Sequence, residues 1–388
     1  MKQKTLAVIG ASYLQMPLVV EAKKLGLRVI AFAWEKGAVC APHCDRFYPI
    51  SIIEKERILE LCRRERIDGV TSIASDVAVP TIAYVSQMMG LPGNTCESAQ
   101  LCTDKYIMRK ALANASLPCP KFIKAESEED AVTRVKEAQL RYPLIVKPTD
   151  RSGSLCVARV ESDSDLINSV HLALEVSLTH AVVIEEFIAQ AREVSIEGIS
   201  WNERYYPLVA TDKVTTGVPH FVEVEHHQPA NMSESMRNEL FDIVAKAASV
   251  LKIKMGASHA EFMITPNEQV YITEIGARMG GAFIGSHLVK LSTGYDFVRA
   301  VIDCALGSFQ ASQVPFDAMH HSGVFFACEG RSAVEAFIKK RDYGTDVIDA
   351  RFDRDKPTHP LSCNADRYAH VIYQGSQRPS SVNDLRRK

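Results

Sequence analysis

No stretch of this 388-residue chain reaches the roughly eighteen consecutive apolar residues that a membrane-spanning helix requires. Charge of one sign is also missing. Lys and Arg number 45 against 47 Asp and Glu, a net charge of −2 that points to neither nucleic acid nor an anionic membrane. Ten cysteines are present, but they form no framework. Cys40-Ala-Pro-His-Cys44 has no second Cys/His pair of matching spacing, so reduced structural thiols and a cytoplasmic location are expected. Lys2 and Lys4 precede an apolar run, yet that run reads as a first strand rather than a signal peptide. A GxGxxG loop is absent. Gly10-Ala11-Ser12 follows the first strand, but Phe32-Ala33-Trp34 stands where an acidic residue would meet a ribose, which argues against a nicotinamide cofactor. No Ser-His-Asp or Cys-His arrangement is apparent.

What is present is a globular composition, 46% hydrophobic and 24% charged, at a length that suggests two or three domains. The N-terminal part alternates strand and helix: strands at 5–10, 27–33 and 69–75, helices at 15–25, 58–67 and 77–90. That order predicts a doubly wound parallel sheet, with Leu91-Pro92-Gly93-Asn94 closing a first domain of about residues 1–100. Further on, helices are expected at 128–139, 165–177, 234–251 and 295–306. Strands are expected at 142–148, 157–160, 181–188, 193–201 and 204–210. From 307 to about 375, short strands and a helix at 332–340 suggest a small cap beside the core. Residues 376–388 are poor in apolar side chains and are expected to be a disordered tail.

Two glutamates carry the most chemistry. In HAEFMITPNEQVYITEIGARMGG, residues 259–281, apolar strands flank a run of turn formers, Thr265 to Gln269. A turn centred between Asn267 and Glu268 puts Glu261 directly opposite Glu274 on one face. Like charges opposed across a ladder are destabilising unless something compensates. A divalent cation bound by hard carboxylate oxygens would do so. Asp150-Arg151-Ser152-Gly153-Ser154 links two strands as a loop whose amides and hydroxyls suit phosphate, with Lys147 just before it as a point charge. Glu185-Glu186-Phe187-Ile188 ends a strand and offers backbone groups to a planar base, with Glu193 beyond it for ribose hydroxyls.

Taken together, Thr103-Asp104-Lys105, Val146-Lys147-Pro148, Ser152-Gly153-Ser154, Glu185 to Ile188, Glu193, Glu261 and Glu274 resemble the ATP-grasp superfamily in order and spacing over residues 1 to about 305. The resemblance implies a mixed α/β and α+β architecture. A doubly wound N-terminal domain would precede an ATP-grasp fold at 101–306, with a lid subdomain at about 115–190 and a C-terminal cap at 307–375. It implies that Lys105 and Lys147 contact ATP phosphates and that the 150–156 loop closes as a lid. Glu185 to Ile188 would hold adenine, Glu193 the ribose, and Glu261 with Glu274 would bind Mg²⁺, Mn²⁺ being an alternative. Arg278 would face the transferring phosphoryl group or a carboxylate.

On the acceptor side, Asp212 to Thr216 and Pro219 to Pro229 resemble segments of amino-acid ligases. Lys213 and His220 would then reach nucleotide or substrate, Glu223 an ammonium group, and His226 or His227 an amine proton, the alternative for the histidines being solvation in a polar loop. Amides around Gly280 and Gly281 would cradle a carboxylate. The implied activity is ADP-forming ligation of a small carboxylate to an amine. Carboxylation like that of biotin carboxylase, ligation in purine synthesis, and a non-catalytic nucleotide-binding role are the alternatives. Related ligases are often dimers, but no residue here sets the oligomeric state. Two positions depart from the pattern. Gly276 stands where many members have a metal-binding Asn, and Cys156 where the lid usually has a glycine.

Overall fold

Residues 3–218, 220–314, 317–328, 332–340, 346–353 and 362–386 are described by the computed structural model of this chain. The first sheet is built from short apolar runs: β1 (Thr5–Ile9), β2 (Arg28–Ala33), β3 (Arg46–Pro49) and β4 (Gly69–Thr71), all parallel in the order β3-β2-β1-β4. Helices α1 (Met16–Lys24), α2 (Lys55–Glu65) and α3 (Val79–Met89) connect them. Every residue of β1 is buried, as a strand covered on both faces must be. The strand order reverses between β1 and β4, so the loops after these strands open a crevice at the sheet's C-terminal edge. Gln15 spans that crevice, donating from Nε2 to the Ile73 carbonyl at 2.7 Å. The strand expected at 69–75 is confined to β4, and the residues after it form the loop that carries Asp76.

Helices α4 (Cys96–Thr103) and α5 (Lys105–Asn114) follow. Asp104 caps α5 by accepting from the Ile107 amide. The Lys105 amide donates to the Thr149 carbonyl, which pins the helix start beside the 150–156 loop. A second, antiparallel sheet has the order β5-β8-β6-β7, from β5 (Phe122–Ala125), β6 (Leu144–Pro148), β7 (Ala158–Val160) and β8 (Val182–Glu186). On it pack α6 (Glu128–Glu137) and α7 (Asp163–Val176), each begun by a serine cap, Ser127 and Ser162.

The third sheet is antiparallel and eight-stranded, in the order β13-β12-β9-β10-β11-β14-β16-β15. Its strands are β9 (Arg192–Trp201), β10 (Arg204–Thr215), β11 (Glu223–Gln228), β12 (Gly256–Ile264), β13 (Val270–Gly276), β14 (His321–Ala327), β15 (Val347–Phe352) and β16 (Ala369–Gly375). Helix α8 (Glu234–Val250) lays Met236, Leu240, Val244 and Ala247 on it, a stripe at helical spacing. Helix α9 (Val289–Thr293) and helix α10 (Phe297–Ala305) join this sheet to the first core, and α11 (Ser332–Lys340) covers the far end.

Three expectations need correction. The strand expected at 204–210 runs on to Thr215, so Lys213 stands on β10 rather than in a loop. The C-terminal segment is joined to the core through the sheet, because β14 pairs with β11 and extends it. β11 is therefore an interior strand, and His226 and His227, read as belonging to a polar loop, are buried in it. The tail is ordered from 376 to 386. Val382 and Leu385 enter the apolar cluster around Phe337 and Tyr373, and Arg378 pairs with Asp212 at 2.6 Å.

Candidate active site

The β12–β13 hairpin places Glu261 opposite Glu274, though by a different route from the one expected. Glu268 takes a left-handed φ of 61°, the turn centres on Asn267, and Phe262 faces Ile272. A one-residue bulge at Thr273 then shifts the register and brings the two glutamates together. The bulged residue's carbonyl is taken up by the Arg109 guanidinium. Each glutamate also has a cation beside it: Lys105 Nζ lies 3.2 Å from Glu274 Oε2, and Lys213 Nζ 2.5 Å from Glu261 Oε1. Two partly exposed carboxylates on adjacent strands, flanked by lysines, suit a hard divalent cation together with phosphate oxygens.

Lys213 is the hub of the site. Its ammonium, only 2% exposed, reaches Glu193 at 2.5 Å, Glu223 at 2.7 Å and Glu261 at 2.5 Å. Burial opposes its charge, but the three carboxylates outweigh that and hold its pKa well above the ordinary lysine value. Oxygens of Glu193, Glu223 and Glu261 lie within 4.8 Å of one another. Burial raises the Glu193 pKa to about 7 even with Lys213 beside it, because Glu261 and Glu223 add negative charge. By contrast, Lys213 and His226 hold Glu223 well below the usual range against the effect of burial.

Glu185 does not offer its carboxylate to a base. It is buried between Lys147 (2.7 Å) and Arg109 (2.6 Å). Burial alone would raise its pKa; the two cations lower it to about 2. Burial pulls the Lys147 ammonium below its ordinary value. Arg109 thus joins the end of β8 to the β13 bulge, tying the second sheet to the paired glutamates. Lys105 Nζ also donates to the Arg151 carbonyl at 2.5 Å, at the start of the 150–156 loop. Within that loop Gly153 has φ of 70°, while Ser154 (60°) and Cys156 (53°) hold the same left-handed form that glycine adopts more readily. Ser154 Oγ donates to the Phe221 carbonyl.

Arg278 makes a two-pronged pair with Asp76 from the loop after β4, at 2.7 and 2.9 Å. This pair accounts for Gly276. A Cβ there would lie 2.9 Å from Asp76 Oδ1 and 3.3 Å from Arg278 Nε, so an asparagine would require the paired Asp76 and Arg278 side chains to shift. The Gly280 amide is not open to a substrate carboxylate, because it donates to Glu197 Oε2 at 2.9 Å. Glu197, fully buried, also binds His259 Nδ1, and His259 Nε2 reaches Glu261 at 3.1 Å. Burial disfavours the imidazolium, but Glu197 and Glu261 outweigh it and raise the His259 pKa to about 9. Gly280 lacks a Cβ for the same reason of space: one would lie 2.6 Å from Glu197 and 2.8 Å from His259.

Most of the residues singled out in the sequence converge here. His220 does not. It is exposed in the loop between β10 and β11, and no hydrogen bond or ion pair joins it to the cluster among the described residues. Glu186, Phe187 and Ile188 sit at the end of β8 with Arg159 4.6 Å above the Phe187 ring. Arg109, Asp76, Glu197, His259, Asn364 and Arg367 were not singled out. For His259 a signal existed, since it stands two residues before Glu261 and shares its face. Asp76 and Asn364 are brought in from other sheets and segments, which no local spacing marks.

Residues 111–286 match the family described as D-ala D-ala ligase C-terminus. The large chain of carbamoyl phosphate synthase from Thermotoga petrophila is 28% identical over 239 residues, 60% of this chain and 21% of that protein. Alanine–anticapsin ligase from Bacillus subtilis is 23% identical over 269 residues, covering 64% of this chain and 56% of that one. The chain therefore spans about half or less of the length of these curated relatives. The crystal structure of L-amino acid ligase from Bacillus licheniformis superposes with a TM-score of 0.82 at 23% identity, over 97% of this chain and 95% of that one. No helix among the described residues is long and apolar enough to cross a membrane.

Proposed function

We propose, from the premise that this chain has the ATP-grasp fold, that it is an ADP-forming ligase joining a small carboxylate, with an amino acid among its substrates, to an amine. The observation that carries this reading is the facing pair Glu261 and Glu274, each with a lysine ammonium beside it. Such a set neutralises a polyphosphate together with its cation. Phosphoryl transfer needs this more than it needs a side-chain nucleophile.

On this reading a substrate carboxylate oxygen attacks the γ-phosphorus, ADP leaves, and an acyl phosphate forms. The amine then attacks the acyl carbon. Phosphate departs with one former carboxylate oxygen, and the amine loses a proton. Glu261 and Glu274 would hold Mg²⁺, which when bound spreads the charge of the phosphate oxygens. Lys105, Lys147 and Lys213 add positive charge, and Lys213 exchanges its carboxylate partners for phosphate. The loop of Ser152, Gly153 and Ser154 closes over the phosphates and keeps water from the acyl phosphate. Backbone groups of Glu186 to Ile188 face the base. Arg278, aimed by Asp76, orients the carboxylate as a planar fork. Glu223 receives an ammonium group of the amino acid. His226, whose burial lowers its pKa despite Glu223 nearby, is neutral and suited to accept the amine proton.

The test is ADP release from the purified protein with Mg²⁺-ATP across pools of amino acids and small carboxylic acids, beside Glu274→Gln. Release that depends on one pool and is lost by at least about a hundredfold in the variant supports the reading. Equal release by the variant contradicts the metal assignment, and no release from any pool contradicts the ligase.

A further inference from the structure

The C-terminal segment has no role in the reading so far, yet it enters the site. Asn364 makes a reciprocal pair with Glu223: the Glu223 amide donates to Asn364 Oδ1 at 3.0 Å, and Asn364 Nδ2 donates to Glu223 Oε2 at 3.0 Å. One side-chain amide thus fixes both the backbone and the carboxylate of the same residue. Arg367 secures this arrangement. Its Nε donates to the Asn364 carbonyl at 2.9 Å and its NH1 to the Glu223 carbonyl at 3.4 Å, while its guanidinium lies 4.0 Å above the Phe326 ring.

The two oxygens of Glu223 therefore have different partners. Oε2 is held by Asn364, with His226 and Arg367 both at 3.5 Å. Oε1 faces the Lys213 ammonium at 2.7 Å. The oxygen that the Asn364 pair leaves unbound thus already holds an ammonium, that of Lys213. Asn364 also touches the phosphate loop, but only through its backbone: its amide donates to the Gly153 carbonyl at 3.4 Å. Side-chain and backbone roles at this residue are consequently separable.

We propose that Asn364 is a positioning residue for substrate recognition, turning the Glu223 carboxylate so that Oε1 receives the ammonium group of an amino-acid substrate. This rests on the ligase reading. A carboxylate free to rotate presents its lone pairs in many directions, and an ammonium needs one of them aligned. Hydrogen bonds to a charged group are the ones whose loss is felt most.

The experiment compares wild type with Asn364→Ala and Asn364→Asp, following ADP release at saturating Mg²⁺-ATP with each of the twenty proteinogenic L-amino acids. Asn364→Asp keeps the acceptor for the Glu223 amide and loses the donor to Oε2, which separates orientation from folding. The expected result in both variants is a KM for the amino acid raised by about tenfold or more. The KM for ATP is expected to move by less than about twofold, because the backbone contact to Gly153 is retained. An unchanged amino-acid KM in both variants, with wild type active, overturns this proposal alone. So does an equal loss of kcat/KM toward both substrates. A wild type that releases no ADP with any amino acid overturns the ligase reading and this assignment with it.

Discussion

Gly276 shows how one missing side chain reshapes a site. An asparagine there would supply another oxygen for a cation, but its Cβ would collide with the Asp76–Arg278 pair. Gly276→Asn is therefore expected to lower kcat/KM by about tenfold or more, since the shift it forces on Asp76 disturbs the partly exposed pair that aims Arg278. Steady-state kinetics check this, and a gain in activity would contradict it. The departure was visible in the sequence, but its cause was not, because Asp76 comes from a different sheet. His259 gives a second prediction at this scale. Its pKa is raised from 6.5 to about 9 in the fold, so its contribution is fully present below about pH 6.5 and is lost as the pH rises through 9. Thermal unfolding of wild type should weaken across that window, and His259→Gln should remove most of the slope. An unchanged slope in the variant would show that the imidazolium contributes nothing.

Among the elements, local pattern found the strands and helices but not their ends or neighbours. Helix α11 at 332–340 and the hairpin of β12 and β13 were legible from periodicity and turn residues. The bulge at Thr273 was not, because one extra residue leaves the alternation nearly unchanged, and only pairing reveals it. β11 reads as a polar loop, Glu-Val-Glu-His-His-Gln, yet it is an interior strand in which His227 bonds Glu225 and Gln228 bonds Thr211 on β10 rather than water. The tail was misread for a related reason: its few apolar residues, Val382 and Leu385, are the ones that dock. A chain ended after Gly375 loses these two buried side chains and the Arg378–Asp212 pair. Its stability should fall by about 3 kcal/mol or more, read as a lower melting temperature. Equal melting temperatures would mean that the tail adds no stability.

At the scale of the whole molecule, three sheets each deliver one part of the charged cluster. The parallel sheet supplies Asp76 at its switch point, the second sheet carries Lys147, Glu185 and the 150–156 loop, and the long antiparallel sheet holds Lys213, Glu223, Glu261 and Glu274. Arg109 and Lys105, both on α5, tie the second sheet to the third. The ordered set of charged residues was readable along the chain because the superfamily resemblance preserves their sequence. The partners that aim them come from distant segments and needed the fold. The central claim is that a carboxylate oxygen is phosphorylated before the amine attacks. The most direct measurement uses an ¹⁸O-carboxylate-labelled substrate in unlabelled water and follows the label by mass spectrometry of the released inorganic phosphate. The account predicts one ¹⁸O transferred to phosphate per turnover. Phosphate released without label, alongside formation of the amide, would contradict it.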